Sequence, residues 1–233
     1  HNIKYIFIIY VILMVGTGQC PVPTLLNAAE NSDFTLGKKS FQDGFYEIAA
    51  RSFEKFLSEN TADNNILEAR LLLGEACVHL NRFSDAMREL DAVIGAETNT
   101  DFKDEAMYWK SEIYFRTRDF EKARELYNNI LSAFPKSSYI HYVKYAYASS
   151  LYEEKKYQEA LDKFSAFESE YPADDPSTSS GSLVPSKTRD ELKEDSELKI
   201  GEILFMLKRY KESKERFSKF INETKDTKKA KAA

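Results

Sequence analysis

One short pattern returns along this chain at a fixed interval, and it limits the fold more than any other feature. An aromatic residue is followed three positions on by a small one and seven on by a large apolar one. The copies are Tyr46, Ala49 and Phe53; Phe83, Ala86 and Leu90; Phe120, Ala123 and Tyr127; and Tyr157, Ala160 and Phe164. The small residue therefore steps by 37, through positions 49, 86, 123 and 160. A fifth copy, Tyr210, Ser213 and Phe217, follows 53 residues after the fourth. A fixed period in this range marks a stack of like supersecondary units, none of which can bury its apolar face alone.

Within each copy the apolar residues recur three and four apart on either side of a brief polar break, so the unit is a helix hairpin. In the fourth copy Tyr142, Tyr145, Ala148 and Tyr152 share the first helix, residues 153–156 turn the chain, and a second helix is predicted over 157–170. The small residues at 49, 86, 123, 160 and 213 are expected where the two helices cross, because helix axes approach closely only over small side chains. With 30% charged residues and only 8 Gly among 233, the composition suits amphipathic helices.

These residues resemble the tetratricopeptide repeat. Leu36-Gly37, Leu73-Gly74 and Ile200-Gly201 stand where that motif has a small residue in its first helix, with Ser111 and Ala148 as equivalents. Gly44 and Tyr46 match its turn, and Pro135 and Pro172 its terminal proline, whereas Asn81, Arg118, Lys155 and Lys208 replace the turn glycine. The resemblance implies an all-α, right-handed α-solenoid of five hairpins over 24–225, with the first helices lining a concave face. Phe134-Pro135 and Tyr171-Pro172 give it the flavour of bacterial envelope members. It is similar there to the periplasmic coordinator of the Tol-Pal system and to the outer-membrane lipoprotein of the β-barrel assembly machine.

Residues 1–20 read as a secretory or lipoprotein signal: Lys4, an apolar run from Tyr5 to Val15, then small residues. The run is shorter than the roughly 20 residues a membrane span needs, although an uncleaved anchor is the alternative reading. Cys20 is a candidate for lipidation, against cleavage after Gly18. The expected location is the periplasm or the outer membrane. Cys77 is then the one cysteine of the folded region, expected in the core rather than as a reactive thiol. The Ser- and Pro-rich stretch 173–188 is expected to be a flexible insertion, or a docking segment through Leu183 and Val184; 226–233 is expected to be a frayed basic tail.

For function the sequence points to binding. A net charge of −5 disfavours a nucleic-acid partner. The three histidines lie far apart, and neither a metal motif nor a phosphate loop is present, so no catalytic, cofactor or metal residue is assigned and the chain is expected not to be an enzyme. The resemblance places a partner-binding face on Leu71, Glu75, Tyr108, Glu112, Phe115, Arg116, Tyr145 and Tyr152, suited to an amphipathic helix or an extended basic peptide of another envelope protein. The same aromatic stripe also fits ordinary packing between helices. A carboxylate clamp is excluded by charge, since Lys38, Glu75, Glu112, Ser149 and Glu202 hold its positions. The alternative function is a structural, self-associating envelope component with no external ligand.

Overall fold

The computed structural model describes residues 24–60, 64–97, 102–170 and 189–232, with side chains at 32–60, 64–97, 102–170 and 191–222. Residues 1–20 with Cys20, read above as a signal, and the expected insertion 173–188 lie outside them. The described residues form ten helices and no strand. They pair as α1 (Thr24–Gln42) with α2 (Tyr46–Glu59), α3 (Ile66–His79) with α4 (Phe83–Ile94), and α5 (Lys103–Arg116) with α6 (Phe120–Ala133). Two more pairs follow: α7 (Ile140–Glu153) with α8 (Tyr157–Ser169), and α9 (Arg189–Met206) with α10 (Tyr210–Ala232). The last helix continues through 225–232, where a frayed end was expected; that stretch holds Lys and Ala, good helix formers, and neither Gly nor Pro.

Each hairpin closes through the same turn. Gly44, Asn81, Arg118, Lys155 and Lys208 all take positive φ, between 58° and 78°. The amide after each reaches back over the helix end, as Arg82 N does to Cys77 O at 2.8 Å and Asp119 N to Tyr114 O at 2.8 Å. This is a Schellman closure, whose left-handed residue favours glycine. Only Gly44 supplies one, and the other four positions adopt the conformation regardless.

The crossing point is where the repeat pattern puts it. Ala49, Ala86, Ala123 and Ala160 are fully buried and Ser213 nearly so. A Cβ added at Gly37, Gly74 or Gly201 would stand 2.7, 2.8 or 2.7 Å from Phe53, Leu90 or Phe217, 16 residues on in the partner helix. Ser213 uses its hydroxyl to donate to Gly201 O at 2.8 Å, joining the two small positions of the fifth hairpin.

First and second helices differ in how they are enclosed. In α3 the run from Leu71 to Val78 is buried on every side, because α3 meets α1, α2, α4 and α5. In α4 only Ala86, Glu89, Leu90 and Val93 are buried, one face of an outer helix. The first helices α1, α3 and α5, and again α7 and α9, touch in sequence, while no second helix makes comparable contact with another among the described residues. That asymmetry curves the stack with the first helices inside. The core divides into a large cluster that runs from the first hairpin into α7 and takes in Phe167 of α8 and Leu192 of α9, and a smaller one, centred on Ala148, Ala160, Phe164 and Ile203, that joins the fourth hairpin to α9. Cys77 is buried in the first, and its thiol is pushed up to about 11 by that burial.

Candidate functional site: the inner cleft

Between α5 and α7 the inner row opens. These two helices do not approach as closely as the other neighbouring first helices, and Tyr108, Tyr139 and Tyr142 fill the space between them with ring centroids 5.0–6.2 Å apart. The cleft that results has a volume of about 230 Å³ and is lined by His79, Glu112, Phe115, Arg116, Tyr145 and Ser149, with Tyr108, Trp109 and Tyr142 beneath.

Its polar groups are held in place. The Arg116 guanidinium donates to Val78 O at 3.1 Å and stands 3.9 Å from the Glu112 carboxylate. Burial raises the pKa of Glu112, and the charge of Arg116 opposes the rise. His79 lies flat on Tyr46 at 4.1 Å; its pKa is lowered, by burial first and by Arg116 second, which favours the neutral imidazole. His79 is thus largely buried between the first two hairpins. Beneath it Glu75, 3% exposed, has its pKa raised by burial and by the charge of Glu105. The result is an aromatic trough with one pinned ion pair. It can accept an apolar side chain flanked by a polar one, and both charges are already positioned before anything binds.

Of the residues expected on the binding face, Glu112, Phe115, Arg116 and Tyr145 line this cleft. Tyr108, 6% exposed, forms its floor, whereas Leu71, 2% exposed, belongs with Glu75 to the interior, because α3 is enclosed by α1, α2, α4 and α5. Tyr152 lies further along α7, where its hydroxyl donates to Glu202 at 3.1 Å and the Lys199 ammonium sits 4.4 Å over its ring. Tyr145 likewise donates to Asp195 at 2.5 Å, so both tyrosines tie α7 to α9. The sequence reading missed His79, Trp109 and Tyr142. Tyr142 was recoverable, since it stands three positions before Tyr145 on the same helical face.

Among the described residues no group of three or more His, Cys, Asp or Glu is placed to hold a metal ion, and no helix is long and apolar enough to cross a membrane. A tetratricopeptide-repeat family model matches residues 34–101 and 80–138. The fold is the tetratricopeptide-repeat solenoid. Solved tetratricopeptide-type structures share it across most of the chain. MamA of Desulfovibrio magneticus RS-1 superposes with a TM-score of 0.63 at 13% identity, covering 84% of this chain and 96% of that one. The TPR-like repeats of a Podosopora anserina kinesin light chain give 0.64 at 12% identity, covering 85% and 96%. A further MamA structure gives 0.62 at 16%, covering 83% and 97%. No curated protein matches the sequence. Tetratricopeptide repeats mediate protein–protein contact and are typically non-catalytic.

Proposed function

We propose that this protein is a non-catalytic scaffold of the cell envelope that holds a peptide or helix of a partner protein in the cleft between α5 and α7. The observation that supports this reading most is the cleft itself: a preformed aromatic trough on the inner face with Glu112 and Arg116 fixed at its edge. A rigid groove loses little conformational entropy on binding, so a few contacts suffice. The envelope location rests on residues 1–20 alone, with Cys20 as the lipid attachment point or cleavage after Gly18 as the other route. The proposal extends to outer-membrane assembly or envelope maintenance on the sequence resemblance alone, carried by Phe134-Pro135 and Tyr171-Pro172.

The test compares the wild-type chain with Phe115→Ala and Arg116→Glu in capture from an envelope extract, with the same species quantified by mass spectrometry. Both variants are expected to retain helicity and to lose at least tenfold of the captured partner. Equal capture by all three chains would remove the cleft from the function.

A further inference from the structure

Every exposed large hydrophobic side chain among the described residues lies in the first or the last hairpin; the three inner hairpins have none. The repeat register explains where these side chains point. Leu36 holds the position of Leu73 and Ile200, which are 3% and 5% exposed because each lies against the preceding hairpin. Phe45 holds the position of Arg82, which pairs with Glu54 of the preceding second helix at 2.9 Å. Both residues of the first hairpin therefore face backward, and they are 49% and 60% exposed.

The last hairpin shows the complementary half. Phe205 and Tyr210 form the same edge-on ring pair, 5.3 Å apart, that Phe41 and Tyr46 form in the first hairpin. There the pair is covered by His79 of the next hairpin, stacked on Tyr46; in the fifth it is open, at 57% and 56%. Ile221, also exposed, holds the position of Leu57, Ile94 and Leu131, each packed into the core.

We infer that the protein associates head to tail, the first hairpin of one copy stacking on the fifth hairpin of another so that the contact between successive repeats continues across the junction. The occupant is a second copy because the two open faces are the two halves of one interface already made four times within the chain. Charge agrees with it. Arg124 pairs with Glu154 of the following hairpin at 2.6 Å; the same positions at the junction are Lys214 of one copy and Asp43 of the next, both exposed and opposite in sign. The interface is heterologous, so it propagates instead of closing as a twofold dimer. It leaves the inner cleft open and stands independently of the partner proposed for it.

Sedimentation of the full chain over a hundredfold concentration range, with Leu36→Glu and Tyr210→Glu in parallel, decides the matter. The wild type is expected to grow past a dimer with concentration. Each variant alone stays monomeric with unchanged helical circular dichroism, and an equimolar mixture of the two forms a dimer, since one sound face remains on each. A wild type of constant monomer mass, variants that still associate alone, or a mixture that stays monomeric would each overturn the inference. A charge exchange provides a second reading. Lys214→Glu and Asp43→Lys should each weaken wild-type association severalfold, and the double variant should restore it; failure of the restoration would refute this register.

Discussion

Lys155 sits at a position whose backbone conformation costs an ordinary L-residue roughly 1–2 kcal/mol. Its φ is 61°, and the amides of Lys155 and Lys156 close the turn on Tyr152 O and Leu151 O at 2.9 Å each. Lys155→Gly is therefore expected to stabilise the protein by about 0.5–1 kcal/mol, after the greater freedom of glycine in the unfolded chain is discounted. Equilibrium urea unfolding would show it. The reverse holds at Gly74, where a new Cβ meets Leu90 at 2.8 Å. Gly74→Ala should destabilise by about 1–3 kcal/mol through overpacking, and adding Leu90→Ala should make the combined loss smaller than the sum of the two, because the second change empties the space the first one needs. Both sites were legible in the sequence as the motif's small and turn positions. The left-handed turn at Arg118, Lys155 and Lys208 was legible only through phase, since no residue type there announces it, whereas Asn81 is a residue that tolerates positive φ.

At the scale of elements, Glu105 on α5 is the acceptor for the Tyr139 hydroxyl at 2.5 Å, joining α5 to the start of α7. Burial raises its pKa to about 7, the Tyr139 bond opposes the rise, and Asp104 and Glu68 add to it. The folded value lies above the ordinary carboxyl value of 4.5, so the stabilising contribution is complete below that ordinary value and is lost as pH rises through about 7. Melting temperature should fall between pH 5 and 8 in the wild type, and Glu105→Gln, which keeps an acceptor oxygen for Tyr139, should flatten that slope and melt higher at pH 8. An identical slope in the variant would assign the pH dependence elsewhere. The end of α7 and both ends of α8 were legible to within a residue, because turn and period agree there. The binding face was less so. Spacing puts Leu71 and Tyr108 on a stripe, but only the three-dimensional stack shows that α3 is enclosed there, and that bulky tyrosines part α5 from α7 to make the cleft.

For the whole molecule, the step of 53 residues before the fifth hairpin is spanned by the smaller core cluster, which joins α7 and α8 to α9. Tyr145 and Tyr152 reach across the same step to Asp195 and Glu202, and Arg216 of α10 pairs with Glu168 of α8. Tyr145→Phe removes one hydrogen bond to a carboxylate, worth about 1.5–3 kcal/mol. Hydrogen exchange is expected to quicken in α9 and α10 while α3 and α4 remain protected, because each hairpin in such a stack is held by its neighbours alone. Uniform quickening would mean the stack opens as one unit. The number of hairpins and their phase could be read along the sequence; the tyrosine bridges could not, since their two ends lie 50 residues apart on either side of the insertion.

Held at its two ends and drawn out in an optical trap, such a molecule would not give way everywhere at once. The fifth hairpin, seated on the smaller cluster, should peel first as a separate low-force step, and the remaining four should then yield together at a higher load. Because Leu192 of α9 lines the cleft and Asp195 holds Tyr145, that first event would also loosen the grip between α5 and α7, which would make the far end a mechanical release for whatever the cleft carries.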